Sequence, residues 1–303
     1  MNDTSELPGF AFIDDTFVPI KEARIPILDW GFLRSDATYD VVHVWQGSFF
    51  RLNEHLDRFF ASMSSLRLDC GYSKPEVASI LGQCVMRAGL DDSYVEMTCT
   101  RGHSPTFSRD PRDAKNRFIA FSLPFSWIIA PGDREEGLNI AISNIRRIPP
   151  EAIDPAVKNY HWLDLVMGLY NAYDRNAQNV ILTDGQGNVT EGPGFNIFVI
   201  SNGVASTPET GMLEGVTRQT AIELLEEINV PTTFKPVPVE EVKSADEVFV
   251  TSTAGGIMAV TTIDGKLVGN GRMGTITRIL TDLYWNAHDR EEWCDRVEDV
   301  ITS

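Results

Sequence analysis

The sequence predicts an α+β fold in two domains. Its 303 residues, 43% apolar and 23% charged, suffice for two cores without disulfide staples. Strand and helix signals come in irregular order, not in a regular βαβ alternation. The stretch Pro124–Gly137 gathers two prolines, two glycines and a charge cluster, the composition of a linker. The domains are accordingly placed at 1–124 and 133–303, with residues 125–132 joining them.

The elements follow in order. Gly9–Asp15 and Thr38–Trp45 are rich in β-branched and aromatic residues, and Gln46-Gly47 reads as a hairpin turn. From Asn53, a candidate N-cap, Leu56, Phe59, Phe60, Met63 and Leu66 recur at helical spacing. Ser73-Lys74-Pro75-Glu76 has capping-box spacing, and Gly89 ends that second helix. Tyr94–Thr100 and Arg117–Leu123 read as strands around a loop carrying Arg109, Asp110, Arg112 and Asp113. Beyond the linker come the strand Asn139–Asn144, a helix from Trp162 to Asn176, and the strand Asn179–Asp184. A turn at Gly185–Asn188 leads to the strand Phe195–Ile200. Thr217–Ile228 is an amphipathic helix, Glu247–Thr251 a strand, Asp264-Gly265 a hairpin signal, and a terminal helix starts near Gly274.

Charge and motifs exclude several classes. With 26 Lys+Arg against 43 Asp+Glu the chain carries −17, which argues against nucleic acid and anionic membrane surfaces as partners. No apolar run approaches the ~18 residues of a membrane span, and the polar, acidic start shows neither the basic n-region nor the apolar h-region expected of a signal peptide. Cys70, Cys84, Cys99 and Cys294 show no CxxC spacing, which points to reduced thiols and the cytoplasm. The five histidines are scattered, so no metal site is expected. Gly269-Asn270-Gly271-Arg272-Met273-Gly274 has the dinucleotide-binding spacing, but it follows a hairpin near the chain end, outside any βαβ unit.

Lysine is more informative. Six of the seven lysines sit in polar turns, loops or helix starts; Lys158 lies among Pro155, Val157, Tyr160 and Trp162. Desolvation there favours an amine nucleophile, the alternative being a snorkelling side chain or an ion pair with Asp154 or Asp164. Gly215-Val216-Thr217 precedes a helix and offers free amides and a hydroxyl to a phosphate, unless Thr217 is simply a cap. Ser252-Thr253-Ala254-Gly255-Gly256 offers further hydroxyls and amides after a strand. Thr190-Glu191-Gly192-Pro193-Gly194-Phe195-Asn196 sets one carboxylate in a glycine-rich kink. A lysine nucleophile, a phosphate cradle and a lone carboxylate are the parts a pyridoxal phosphate site requires.

These segments resemble the class IV aminotransferases of fold type IV, in the family's order and spacing. The likeness includes Val157-Lys158-Asn159, Leu182-Thr183-Asp184-Gly185, Leu213-Glu214-Gly215-Val216-Thr217-Arg218 and Ser252–Met258, and it runs from about Phe10 to Trp285. Within the family the chain is most similar to the (R)-selective amine transaminases, through Ala23–Phe32, Ser35–Val41 and Phe49-Phe50-Arg51-Leu52 with His55. The resemblance implies a smaller N-terminal domain, a larger C-terminal one, pyridoxal 5′-phosphate between them, and a homodimer. Lys158 would hold the cofactor and carry the proton between substrate Cα and cofactor C4′. Glu191 would pair with the pyridine nitrogen. Arg58, Val216, Thr217, Ser252 and Thr253 would bind the cofactor, chiefly its phosphate. Arg34, Tyr39, Trp162, Phe195, Leu213 and Ala254 would line the substrate space. The implied reaction moves an amino group from an (R)-amine or D-amino acid to a 2-oxo acid such as pyruvate. Branched-chain L-amino acid transamination and 4-amino-4-deoxychorismate lyase activity are the alternatives. Because an amine without a carboxylate and a 2-oxo acid occupy one site in turn, a mobile arginine is expected, with Arg101 or Arg109 as the switch.

Overall fold

Residues 7–301 are described by a computed structural model, and among them the strands form two sheets. The chain divides into two units. One holds the chain up to Ser126 together with Val157–Tyr160 and the segment from His288 onward; the other holds Trp127–Ala156 and His161–Ala287. The break after Ser126 falls inside the expected linker, but the second domain is not the continuous run 133–303. Strand pairing is the physical reason. Asn159 bridges Thr38, and Cys294–Arg296 adds to the edge of the first sheet against Ser48–Phe50.

In the first unit, seven antiparallel strands run in the order Cys294–Arg296, Ser48–Phe50, Ala37–Trp45, Ser93–His103, Lys115–Pro124, Phe10–Ile13 and Thr16–Pro19. The helices Leu52–Leu66 and Lys74–Ala88 bury Leu56, Phe59, Val77 and Leu81 against Val42, Val44, Val95 and Met97 of this sheet. That one-sided burial is what the alternating strand pattern and the helical apolar stripes encode. The second helix begins as expected: the Glu76 carboxylate accepts from the Ser73 amide at 2.7 Å, and Gly89 ends it at φ +66°. The first helix does not. Asn53 lies inside it, and Arg51, at φ +58°, takes the N-cap position. The Arg51 amide donates to the Trp293 carbonyl at 2.7 Å and its guanidinium lies 3.6 Å over the Trp293 ring. A contact 242 residues away in sequence sets that helix start, so local spacing could not reveal it.

The second unit is built on a mixed sheet. Phe195–Ser201, Glu247–Ser252 and Gly256–Ile263 pair antiparallel at its centre, and Leu138–Arg146 and Asn179–Thr183 join parallel. Ile140, Ile181, Ile197, Val199, Val250 and Val260 form its core. The GxGxxG segment opens the helix Thr275–Asn286, whose first amides are already taken: the Glu247 carboxylate accepts from Ile276 N at 3.0 Å and from Thr277 N at 2.8 Å. A Cβ on Gly274 would stand 2.0 Å from that carboxylate. The glycine admits a side chain of the protein itself, not a dinucleotide phosphate.

Candidate active site

In the first unit, Lys158 is held by its backbone on the strand Ala37–Trp45. Its carbonyl accepts from the Thr38 hydroxyl at 2.6 Å and its amide donates to Ser62 Oγ at 3.2 Å. The ammonium nitrogen lies 4.3 Å from the centroid of the Tyr39 ring, which packs in a tilted arrangement against Tyr160 with centroids 4.9 Å apart. The structure therefore brings Lys158 and Tyr39 together. Arg58, from the helix behind this strand, forms a fork on Asp40: Nε to Oδ2 at 2.7 Å and Nη2 to Oδ1 at 2.8 Å. His55 Nδ1 is 2.8 Å from the same Oδ1. Burial would raise the Asp40 pKa, but Arg58 and His55 outweigh it and hold the carboxyl far below the usual range. Asp40 thus fixes the orientation of the Arg58 guanidinium. Asp40 went unnoticed in the sequence, although its place in line with the core valines Val42 and Val44 at period two marks a buried charge that needs a partner.

The arginines separate into fixed and available ones. Arg101 forks on Asp36 at 3.0 and 3.1 Å and donates to the Leu66 and Arg67 carbonyls at 2.7 and 2.8 Å. In this arrangement it is a strut between strand and helix end. Arg112 pairs with Asp110 through Nε and Nη2. Arg34, whose guanidinium lies 3.6 Å over the Trp30 ring, and Arg109 line one cavity of about 370 Å³ with Leu28, Leu33, His103 and Phe107. Neither forms an ion pair among the described residues.

In the second unit, Glu191 and Gly192 pair with Asn196 and Phe195 in a hairpin closed by Pro193-Gly194. Gly194 takes φ +79°, and a Cβ on Gly192 would stand 2.5 Å from the Val180 carbonyl, so the sequence there must be glycine. Glu191 is buried and has both oxygens engaged: Arg147 Nε donates to Oε1 at 2.9 Å and the Leu213 amide to Oε2 at 3.0 Å. Arg147 also donates to Asp164 at 2.7 Å. Burial alone would lower the Arg147 pKa; Glu191 and Asp164 more than offset it and hold it raised. Asp164, offered by the sequence as a partner for Lys158, serves Arg147 and the Ile148 amide instead. No local motif marked Arg147.

Phe195 is buried. Its ring belongs to the sheet core with Ile197 and Val199, because side chains alternate along the strand. The neighbouring Asn196 faces the other way and donates to the Leu213 carbonyl at 2.8 Å. Leu213 is thereby clamped between Glu191 and Asn196. Trp162 precedes the helix Leu163–Tyr173, with its ring beside Gly194. Ser252 is engaged in its own turn, donating to the Gly194 carbonyl at 2.8 Å and accepting from the Ala254 amide at 3.2 Å. By contrast, the Thr217 and Thr253 hydroxyls make no hydrogen bond among the described residues. The helix Val216–Glu227 starts at Gly215, which has no side chain to cap it. Uncapped amides and two unpartnered hydroxyls fit a phosphate. A buried carboxylate held between a cation and an amide fits the protonated nitrogen of a pyridine ring.

Fold and donor set fit a pyridoxal 5′-phosphate enzyme. The model of the amino-transferase class IV family matches residues 37–263, and the chain belongs to that family. It is 30% identical over 291 residues to a putative branched-chain-amino-acid aminotransferase of Methanocaldococcus jannaschii, covering 95% of this chain and 99% of that one. It is also 30% identical over 275 residues to a D-alanine aminotransferase of Staphylococcus haemolyticus, covering 89% and 95%. The solved branched-chain amino acid aminotransferase of Thermobaculum terrenum, in its pyridoxal phosphate-bound form, shares the fold, with a TM-score of 0.87 at 23% identity over 96% of this chain and 99% of that one. The protein is a pyridoxal phosphate-dependent aminotransferase, using an amino donor and a keto acid acceptor.

Proposed function

We propose that this aminotransferase takes its amino group from an (R)-amine or a D-amino acid and delivers it to a 2-oxo acid such as pyruvate. The observation that carries this reading is the pair Arg34 and Arg109. Their guanidiniums share an apolar-walled cavity and are not committed to carboxylates. An arginine on a loop can meet an acid and turn to solvent for an amine, which avoids the several kcal/mol that a fixed, unpaired buried cation costs. The similarity to D-alanine aminotransferases supports the same reading. The equal likeness to the putative branched-chain enzyme supports branched-chain L-amino acids as the second reading.

The cofactor supplies the electron sink for breaking the bond to the substrate Cα proton. Lys158 anchors it and carries that proton. Glu191, oriented by Arg147 and Leu213 N, binds the pyridine nitrogen. Val216 and Thr217 amides, the Thr217 and Thr253 hydroxyls and Arg58 bind the phosphate, and Tyr39, Trp162, Leu213 and Ala254 border the substrate. A homodimer is supported by Ile25, Ile27, Phe32, Leu33 and Phe107, all exposed apolar side chains. Free thiols at Cys70, Cys84, Cys99 and Cys294 support a cytoplasmic setting.

A donor screen with both enantiomers of 1-phenylethylamine, alanine and leucine against pyruvate and 2-oxoglutarate tests the substrate reading. Turnover confined to L-leucine would overturn it in favour of the second. Arg109→Ala should raise the KM for pyruvate steeply while sparing the amine half-reaction; equal loss in both half-reactions would remove Arg109 from the role.

A further inference from the structure

The strand Ser93–His103 sends Val95, Met97 and Cys99 into the core, so Tyr94, Glu96 and Thr98 stand on the opposite sheet face. Register sets Tyr39 opposite Thr98, Val41 opposite Glu96 and His43 opposite Tyr94 on that face. Glu96 gathers three hydroxyls. Its Oε1 accepts from Tyr160 at 2.9 Å and from Thr98 at 3.1 Å, and its Oε2 accepts from Tyr94 at 3.2 Å. The Tyr160 ring then packs, tilted by 39°, against Tyr39, over which the Lys158 nitrogen lies at 4.3 Å. None of the roles assigned above uses this carboxyl group.

We propose that Glu96 is a positioning residue for Lys158: it locks the Tyr160 ring against Tyr39 and sets a carboxylate within electrostatic reach of the lysine nitrogen. The inference rests on the reading of Lys158 as the cofactor lysine. The titratable groups around Glu96 are Tyr94, Tyr160, Tyr39, His43 and Lys158 itself. Burial raises the Glu96 pKa, against the pull of the Tyr160, Thr98 and Tyr94 hydroxyls and of Lys158. Burial likewise raises the Tyr94 and Tyr160 phenols, so both remain donors. Interaction is reciprocal: if Lys158 favours an ionised Glu96, an ionised Glu96 favours a proton on the Lys158 nitrogen.

The experiment is a pH titration of the visible absorbance of the holoenzyme, which reports the proton on the cofactor-bound lysine nitrogen. Glu96→Gln keeps an acceptor for Tyr160 and removes the charge. Its midpoint should fall by roughly one pH unit relative to the wild type. A midpoint that coincides with the wild type overturns the inference, whatever the change in yield or Tm, because a merely structural Glu96 would alter only those. Should Glu96→Gln fail to fold, Tyr160→Phe gives the second arm. Without that donor Glu96 ionises at higher pH, so the midpoint should again fall, by less; an unmoved midpoint there overturns the inference too. Lys158→Ala separates the two readings. A visible band that survives this substitution refutes Lys158 as the cofactor lysine, whereas a band lost in Lys158→Ala yet unmoved in Glu96→Gln refutes the role of Glu96 alone.

Discussion

Arg147 holds two carboxylates, Asp164 and Glu191, at 2.7 and 2.9 Å, with all three side chains nearly buried. Removing the cation would leave two buried acids facing each other without compensation. Arg147→Met should therefore destabilise the apo-protein by about 3–5 kcal/mol, read in a denaturant melt. Glu191→Gln should do far less harm to folding, since Asp164 stays on Arg147 and the amide oxygen still accepts from Leu213. Its effect belongs to the reaction: without a carboxylate the pyridine nitrogen loses its charged partner, and kcat should fall by roughly 10²–10³-fold. A Glu191→Gln enzyme with wild-type kcat would remove Glu191 from that role. The sequence made Glu191 visible because its hairpin demands glycines at 192 and 194, and a carboxylate directly before them stands out. Arg147 and Asn196 carried no such mark. Each is defined by a partner distant in the chain, Glu191 at 44 residues and Leu213 at 17, and a single sequence holds no record of such pairs.

At the scale of elements, legibility follows the range of the interactions that fix them. The Ser73–Glu76 box and Gly89 delimit their helix through contacts within four residues, and both are plain in the sequence. The start of the preceding helix depends on Trp293 and is not. The helix Val216–Glu227 shows the same contrast at the cofactor. That a glycine precedes it is obvious; that the glycine must make room for Asn196 is not. A Cβ on Gly215 would stand 2.2 Å from Asn196 Oδ1, the amide group that clamps the Leu213 carbonyl. The backbone of Gly215, at φ −67°, suits alanine, so strain is not the issue. Gly215→Ala should displace Asn196 and the Leu213–Thr217 turn. Cofactor affinity is expected to fall at least tenfold, equivalent to about 1.4 kcal/mol, while the apo-protein Tm changes little. Equilibrium dialysis against pyridoxal phosphate beside a melt of the apo-protein measures both, and an unchanged affinity would show that this turn does not hold the phosphate.

For the whole molecule, element order carried the α+β class, yet the two segments that cross back into the first unit were invisible because they are defined by pairing with strands far away. The return of the chain from His288 also completes a partly buried histidine pair, His43 Nε2 to His288 Nε2 at 2.8 Å, with His288 stacked on Phe50. Burial, and then the neighbouring His288 and His55, lower the His43 pKa well below its usual 6.5, and burial lowers that of His55 as well. The unfolded chain takes up these protons near pH 6.5 and the folded chain resists them. Their stabilising contribution is therefore present above about pH 6.5 and declines as the pH falls, by up to about 1.4 kcal/mol per pH unit for each group. Glu96, with its raised pKa, acts in the opposite sense, since its folded form prefers the proton. The difference between two proteins isolates the histidine contribution. His43→Phe cannot titrate and retains an aromatic ring against Phe50 and Phe125. Urea melts of the apo-protein from pH 7.5 to 5 should show stability falling toward acid in the wild type and falling less steeply in His43→Phe. Parallel curves would mean that His43 accepts its proton in the folded state as readily as in the unfolded one, and that the C-terminal return is indifferent to its charge.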